Sequence, residues 1–307
     1  MALAVLLCIG VSMLFAAAAP ALGRRLPPAT AARLLVPASL AVAASGVFVL
    51  GVVTFTWVGQ FPEIARYGPW SPVSLHARSP FPAWPAAFSG LLVVLATGWA
   101  ARIVYRRTRA VLHVHRACRH LAVAGHLVVV DDERPDAFTT PQPAARIVVT
   151  TGLLGALTSQ ERRALLAHES SHLAHRHAWW NMAADLAAAI NPLLRPTARV
   201  IAHAVERWAD EEAADAVGDR RLVARTLARA ALLQHQPASD GAVAATGGNV
   251  VNRVRALLAP APTRHPSALA VLLALLLTTV LTAAVVQHTG ESLFEHAATR
   301  THPARHA

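Results

Sequence analysis

The chain has 307 residues, of which 54% are hydrophobic, and its mean hydropathy is +0.41. This composition excludes an ordinary soluble protein and predicts that part of the chain lies in a lipid bilayer. The net charge of +11 rests entirely on arginine, since the chain has no lysine. No recognisable binding motif accompanies this charge, so nucleic acid is not an expected partner. Arginines retained beside anionic membrane lipid account for it better.

Four apolar runs predict four membrane-spanning helices. They cover residues 2–22, 34–58, 86–105 and 268–286. Each is about 20 residues long, which is the length that a helix needs to cross the hydrocarbon core. The first run lacks the positively charged start of a signal peptide, so we interpret it as an uncleaved span.

The positions of the arginines orient these spans. They lie between the first two spans and at the end of the third, at Arg24, Arg25, Arg33, Arg102, Arg106, Arg107, Arg109, Arg116 and Arg119. By the positive-inside rule, the N-terminus lies outside and the block after the third span is cytoplasmic. The predicted organisation is a membrane region of three spans (1–105), a cytoplasmic domain (106–266), and a fourth span with a short tail (267–307).

The cytoplasmic block has the pattern of a folded domain. Two β-branched runs, 126–131 and 146–151, predict a hairpin or two neighbouring strands. Thr158 and Glu161 form a capping box that predicts a helix over 159–177. An apolar segment, 178–190, is expected to lie on or near the membrane. Further helices are predicted over 197–217 and 221–234, followed by a flexible loop over 237–248.

One pentapeptide carries the strongest functional signal in the chain. His168, Glu169 and His172 belong to the run His-Glu-Ser-Ser-His, the HExxH pattern of zinc hydrolases. Positions i and i+4 share one face of a helix, so both imidazoles can reach one metal ion. The glutamate lies at the edge of that face, where it can hold a water molecule. The pattern predicts one Zn²⁺ per chain, with His168 and His172 as ligands and Glu169 as the catalytic residue.

A catalytic zinc site needs a third protein ligand, and the sequence offers two acidic candidates. Glu206 lies on the predicted helix downstream, with Asp210 one turn further on the same face. Glu211 begins a similar segment, but it points about 140° away from Glu206 on a helix of about 3.6 residues per turn. Only one of the two glutamates can therefore face the metal. Asp210 is placed to accept a hydrogen bond from a ligand imidazole.

Three further histidines lie near these segments. His175 follows His172 by three residues, and a continuing helix would lift it about 4.5 Å along the axis. We expect His175, His177 and His203 to be solvated or satisfied by structural partners rather than to bind the metal. A metal transporter is not indicated, because the predicted spans contain almost no ionisable groups.

The predicted chemistry is hydrolysis of a peptide bond. Zinc would acidify its bound water and polarise the scissile carbonyl. Glu169 would take the proton of that water as general base and pass it to the leaving amine. We expect a peptide substrate to lie extended against an edge strand near residues 147–150.

An ordered set of motifs widens this pattern to about a third of the chain. Four segments occur in order between about residue 127 and residue 232. They are Asp136-Ala-Phe-Thr139, Ile147-Val-Val-Thr-Thr-Gly-Leu-Leu154, the HExxH helix and Glu206-x-x-Ala-Asp210. In this order they resemble the integral-membrane zinc metallopeptidases of the HtpX and CAAX-protease type. Relatives of that group include the BlaR/MecR-type antibiotic-sensing proteases.

The resemblance implies a gluzincin fold, with two histidines from one helix and a glutamate from a later one. A Gly-Asp pair follows the glutamate helix in these relatives, and Gly218-Asp219 at the matching distance favours Glu206 over Glu211 as the third ligand. Four spans around a cytoplasmic protease match the BlaR/MecR arrangement. Those receptors carry a large sensor domain after the last span, where this chain has only residues 287–307, so antibiotic sensing is not expected.

The sequence therefore predicts a mainly α membrane protein. About four transmembrane helices accompany a cytoplasmic α+β, gluzincin-like metallopeptidase domain with a small strand pair or sheet. The predicted function is that of a zinc-dependent endopeptidase in the cell membrane, with membrane lipid and a protein or peptide substrate (a regulator or a membrane protein) as partners. The alternative is a non-catalytic membrane signalling or scaffold protein that retains the fold. The sequence does not indicate an oligomeric state.

Overall fold

Long apolar helices make up much of the structure. The computed structural model describes residues 2–118, 125–140, 145–234, 243–261 and 265–298. Four helices in it are long and apolar enough to cross a membrane: α1 (Ala2–Arg24), α2 (Pro28–Val58), α5 (Ala83–Cys118) and α12 (Pro266–Ala298). Two short helices, α3 (Pro62–Ala65) and α4 (Pro72–Arg78), connect α2 to α5. The four predicted spans are confirmed, and α12 extends well into the predicted tail.

The membrane helices leave large apolar side chains exposed. Leu95 on α5 is 58% exposed, and Leu277 on α12 is 60% exposed. Apolar surface of this extent is unfavourable in water and suits contact with lipid tails. Together with the length of the four helices, it marks the chain as a membrane protein.

Three short strands follow α5 in the sequence and form a small mixed sheet. Its strands are β1 (Leu127–Val130), β2 (Ala137–Thr139) and β3 (Ile147–Thr150), in the order β1-β3-β2. β3 runs parallel to β1 and antiparallel to β2, so the two predicted strands are neighbours and do not form a hairpin. β3 is the central strand and is buried along its length. The predicted substrate edge near 147–150 is therefore wrong, and β2, which was not predicted, lies at an edge of the sheet.

A series of helices follows the sheet. They are α6 (Thr151–Ala156), α7 (Ser159–Ala174), α8 (His177–Ile190), the 3₁₀ turn Pro192–Leu194, α9 (Arg195–Val217), α10 (Arg220–Gln234) and α11 (Val243–Leu258). Part of α11 falls in the predicted flexible loop, so residues 243–248 are helical, contrary to that prediction. The rest of the loop, residues 237–242, lies outside the described residues.

Local chemistry sets both ends of α7. The Thr158 side chain accepts a hydrogen bond from the Glu161 backbone N–H, and the Glu161 carboxylate accepts one from the Thr158 N–H, as the capping box predicts. The helix ends at Ala174, three residues before the predicted end. Arg176 then adopts a left-handed conformation with φ 53°, which reverses the chain into α8.

One apolar core joins the membrane helices to the helices of the site. It includes Phe15 of α1 and Leu35 of α2 on one side, and Ile201 and Trp208 of α9 on the other. The guanidinium of Arg33 lies 4.4 Å from the ring centroid of Trp208, a cation–π contact. The hairpin α8–α9 is thus packed directly against the hairpin α1–α2, which fixes α9 relative to the membrane helices.

Candidate metal centre

Helix α7 places the two histidines of the HExxH pattern side by side. His168 and His172 are one turn apart, and their Nε2 atoms lie 3.1 Å from each other. A tetrahedral ion at about 2.0–2.1 Å from two imidazole nitrogens would hold these nitrogens about 3.3 Å apart. The observed spacing therefore suits a shared metal ion.

Helix α9 brings one carboxylate to these nitrogens. Glu206 Oε1 lies 3.7 Å from His172 Nε2, and Glu206 Oε2 lies 3.8 Å from His168 Nε2. Ligand atoms of the three residues all fall within 4.8 Å of one another. The helix pairing of α7 with α9 thus joins residues that are more than 30 positions apart in the sequence into one potential metal site.

The second acidic candidate, Glu211, points elsewhere. Its carboxylate pairs with Arg220 at the start of α10 and lies 3.6 Å from the guanidinium of Arg207. Arg220 also donates hydrogen bonds to the carbonyls of Ala256 and Leu257 at the end of α11. Glu211 therefore ties α9 to α10 and α11, and it is not part of the potential metal site.

The outer nitrogens of both ligand histidines have partners. His168 Nδ1 lies 3.1 Å from Asp210 Oδ1, and His172 Nδ1 lies 2.9 Å from His177 Nδ1. A histidine that offers the Nε2 lone pair to a metal carries its proton on Nδ1, so Asp210 and His177 are the hydrogen-bond acceptors. Two imidazoles and one carboxylate, held in this way, form a donor set that fits zinc.

Burial and charge shift the pKa values of these groups in different directions. Burial, followed by the positive charges of His168 and Arg253, lowers the pKa of His172 to about 3. Burial also lowers the pKa of His168, but the hydrogen bond and negative charge of Asp210 outweigh it, and that pKa is raised. Burial raises the pKa of Asp210, yet its hydrogen bonds from Arg253 and His168 prevail and lower it. His172 is therefore neutral and Asp210 is an anion.

Glu169 lies beside the potential metal site and is 8% exposed. The Thr139 hydroxyl on β2 lies 2.8 Å from Glu169 Oε2 and 3.1 Å from the Glu169 carbonyl oxygen. Burial is the main cause of the raised pKa of Glu169, and the charge of His168 and the Thr139 hydrogen bond oppose it only in part. A carboxylate whose pKa is raised toward neutrality is better suited to accept and release a proton.

Arg253 on α11 is a site residue that no sequence pattern indicated. Its Nε and Nη2 atoms donate to the two oxygens of Asp210 at 2.8 and 2.7 Å. Its Nη1 atom lies 2.9 Å from Glu206 Oε2. The side chain is 8% exposed, so Arg253 is a buried cation that holds both carboxylates in place.

His175 and His203 are satisfied by other partners. His175 Nε2 lies 2.7 Å from Glu212 Oε1, and His203 Nδ1 lies 2.7 Å from Asn249 Oδ1. Neither belongs to the potential metal site. His177 is also outside the ligand set, but its contact with His172 makes it a supporting residue, which the sequence reading missed. The left-handed turn at Arg176 is what brings it there, and this turn has no sequence signal that we recognise.

A cleft of about 450 Å³ opens over these residues. Phe138 and Thr139 of β2 form one side of it, and α8, α10 and α11 contribute the others. His168, Glu169 and Glu206 all line the cleft, so a ligand in it would meet the potential metal site directly.

Fold and site together define a multi-span membrane protein with an HExxH centre completed by a glutamate from a later helix. The sequence profile of peptidase family M48 matches residues 106–305, well over half of the chain, and the protein belongs to this family. A protease HtpX homolog of Acidiphilium cryptum is 55% identical over 51 residues, which cover 16% of this chain and 17% of that protein. These matches confirm the resemblance to HtpX-type metallopeptidases.

Two further relatives carry the same name. The protease HtpX homologs of Burkholderia mallei strain SAVP1 and Burkholderia thailandensis are each 35% identical over 88 residues, which cover 26% of this chain and 30% of each relative. The chain therefore matches less than a third of the length of these curated relatives. No solved structure matches it.

Proposed function

We propose that this protein is a membrane-embedded zinc endopeptidase that hydrolyses peptide bonds in a protein substrate, either a regulator or a membrane protein. The observation that carries the proposal is the convergence of His168, His172 and Glu206 beside the buried carboxylate of Glu169. Membership of a peptidase family and the protease names of the relatives support the same class.

His168, His172 and Glu206 would hold one zinc ion, with Asp210 and His177 fixing the two imidazole rings. When bound, zinc supplies a water molecule of lowered pKa and polarises the scissile carbonyl. Arg253 keeps the Glu206 carboxylate oriented through its contact with Oε2. Because all of these groups lie on packed helices, little reorganisation is needed before reaction.

Glu169 is the proposed general base. Its carboxylate would accept a proton from the attacking water and deliver this proton to the leaving amine. Thr139 orients the carboxylate by its hydrogen bond to Oε2. The raised pKa of Glu169 favours the first step, since a carboxylate of higher pKa accepts a proton more readily than an exposed glutamate does.

The substrate would lie extended along β2. This strand pairs with β3 on one side, and its other edge has no strand partner among the described residues. Phe138 on β2 is 41% exposed and lines the cleft, where it can contact a substrate side chain. Main-chain hydrogen bonds to an edge strand hold a peptide with little dependence on its sequence.

The cytoplasmic side of the cell membrane is the proposed location of the site. Exposed arginines cluster at the end of the membrane helices nearest to it, at Arg24, Arg25, Arg102, Arg106, Arg107 and Arg109. Positively charged residues are retained on the cytoplasmic side during insertion. A reporter fused after Ala307 tests this, because the proposed topology places the C-terminus outside.

The peptidase is tested on the full chain in detergent micelles with an unfolded protein such as casein. Wild-type protein should cleave it, lose cleavage with a metal chelator and regain it with zinc. Glu169→Gln should lose at least about 100-fold in rate while keeping one zinc per chain. The exposed Glu133→Gln is the matched control and should cleave normally.

Two results would count against the proposal. Cleavage by Glu169→Gln at the wild-type rate would show that this carboxylate is not the base. Zinc-loaded wild-type protein that cleaves neither casein nor denatured membrane proteins would favour the non-catalytic signalling or scaffold alternative.

A further inference from the structure

A second cavity, of about 630 Å³, lies among the membrane helices. We call it the intramembrane groove. It is bounded by α1, α2 and α5, and residues 189–195 at the tip of the α8–α9 hairpin close one end. Its walls are mostly apolar, with Met13, Val47 and Leu95 as examples, and Arg195 is the one charged residue among the described residues that line it.

The groove extends from the hairpin tip to the middle of the membrane helices, since its lining residues on α1, α2 and α5 lie near the centres of the predicted spans. Arg107 of α5 forms an ion pair with Asp185 of α8, which ties these two helices together above the groove. Trp99 lines the groove and precedes Arg107 by eight residues, so it lies about 12 Å deeper along α5 at 1.5 Å per residue. This depth lies within the hydrocarbon core, so an acyl chain in the groove would pass beside Trp99.

The hairpin tip is built to lie against lipid. The Asn191 N–H donates to the Ala187 carbonyl at 2.9 Å, and Asn191 Oδ1 accepts from the Leu193 N–H at 3.1 Å. The Leu194 N–H donates to the Asn191 carbonyl at 3.0 Å. Irregular backbone near hydrocarbon is tolerated when its polar groups are satisfied internally, and this turn meets that condition.

We propose that the intramembrane groove binds an anionic phospholipid of the leaflet nearest to the metal centre, with one acyl chain along its apolar wall and the phosphate at Arg195. The volume is that of an ordinary ligand site, roughly 300–1,000 Å³. Lipid tails already surround the protein, so burying one of them gains little from the hydrophobic effect. Selectivity therefore comes from Arg195, which is exposed and has no acidic neighbour in the groove wall.

The charge of Arg195 sets the size of the expected preference for anionic lipid. A single arginine near a membrane surface favours anionic over zwitterionic lipid by about fivefold. Arg199 provides a matched control, because it is also exposed, lies one turn further on α9 and does not line the groove. This inference does not depend on the peptidase activity.

A glycine in the groove wall allows the space itself to be filled. A Cβ atom added at Gly46 would have no heavy atom within 4 Å, so a leucine there can extend into the groove without a backbone clash. Gly10 on α1 is equally open and lies outside the groove lining, so Gly10→Leu is the control for Gly46→Leu.

The experiment uses the full chain in vesicles of equal amounts of phosphatidylcholine and phosphatidylglycerol, with brominated acyl chains on one lipid at a time. Bromine quenches the fluorescence of nearby tryptophan side chains. For each protein, the fluorescence of the same protein carrying Trp99→Phe is subtracted, which leaves the contribution of Trp99 alone. Wild-type protein, Gly10→Leu and Arg199→Gln should show about fivefold tighter association of phosphatidylglycerol with Trp99. Arg195→Gln and Gly46→Leu should lose this preference.

Equal quenching by the two lipids in wild-type protein would overturn the proposal. So would a preference that persists in both Arg195→Gln and Gly46→Leu, since the anionic lipid would then be held elsewhere. Arg195 is exposed, so Arg195→Gln decides the question even if the leucine at position 46 prevents folding.

Discussion

The two halves of helix α9 have different surroundings. In the first half, Thr197 and Ile201 are fully buried, with Ile201 in the apolar core shared with α1 and α2. In the second half, Glu206 and Asp210 face Arg253 and the histidines of α7. The first half is held by close packing of small and apolar side chains, and the second half adds a buried network of charges to such packing.

This difference predicts two kinds of sensitivity. Removing an apolar side chain from the first half leaves a cavity, which costs stability but does not change the ligands. Removing one member of the polar network leaves a buried charge without its partner and also disturbs the metal site. The variants below test this separation, from the largest expected effect to the smallest.

Asp210→Ala should have the largest effect on stability. Arg253 would lose its bidentate partner, and we expect a loss of about 3–5 kcal/mol in the free energy of unfolding, measured by denaturant titration in micelles. Adding Arg253→Met removes the remaining buried cation and should restore part of that stability. Zinc affinity should stay low in both variants, because His168 has lost its acceptor. A double variant as unstable as Asp210→Ala alone would contradict the network.

Ile201→Ala tests the apolar half of α9. We expect a loss of about 2–4 kcal/mol in the free energy of unfolding, since the side chain is fully buried. Zinc affinity should be unchanged. Leu277→Ala on the lipid-exposed face of α12 is the control and should change stability by less than about 0.5 kcal/mol. A fall in zinc affinity for Ile201→Ala would show that the two halves of α9 are not separable.

His177 sharpens the comparison within the polar half. His177→Leu removes the acceptor for His172 Nδ1–H and should weaken zinc binding by about 10- to 100-fold in a chelator competition assay. His177→Asn can place an amide oxygen where the imidazole Nδ1 lies and should retain most of the affinity. Equal weakening by both substitutions would mean that the ring is needed for packing rather than for its hydrogen bond.

The capping box of α7 should give the smallest effect. Thr158→Ala should cost about 1 kcal/mol. The backbone hydrogen bond from Thr158 is the main cause of the lowered pKa of Glu161 in the folded protein. Its carboxylate therefore adds stability above the unfolded-state pKa of about 4.3, and this contribution is lost as pH falls through the lower folded-state pKa.

The pH dependence is isolated by Glu161→Gln, which keeps the length of the side chain but not its charge. The stability difference between wild-type protein and this variant should be constant near neutral pH and should shrink below about pH 4. A stability difference between the two proteins that does not change with pH would contradict the stabilising role of the Glu161 carboxylate.

Most parts of the structure that were predicted depend on local sequence, whereas the choice of Glu206 as the partner of the two histidines came from the family resemblance. The capping box at Thr158, the i, i+4 spacing of His168 and His172, and the four apolar runs each involve residues that are close together in the chain. The contacts that were missed join distant segments, as when Arg253 meets Asp210 or Thr139 meets Glu169. A strand of three residues such as β2 shows too little alternation to be recognised. One sequence contains no signal for such pairings.

The central claim is that His168, His172 and Glu206 bind one zinc ion, and X-ray absorption of the zinc-loaded full chain tests it most directly. The account predicts one zinc per chain with two imidazole nitrogens and a carboxylate oxygen at about 2.0–2.2 Å. Glu206→Ala should lose the carboxylate ligand or the zinc, while Glu211→Ala should keep the wild-type spectrum. A wild-type spectrum in Glu206→Ala, or its loss in Glu211→Ala, would contradict the account.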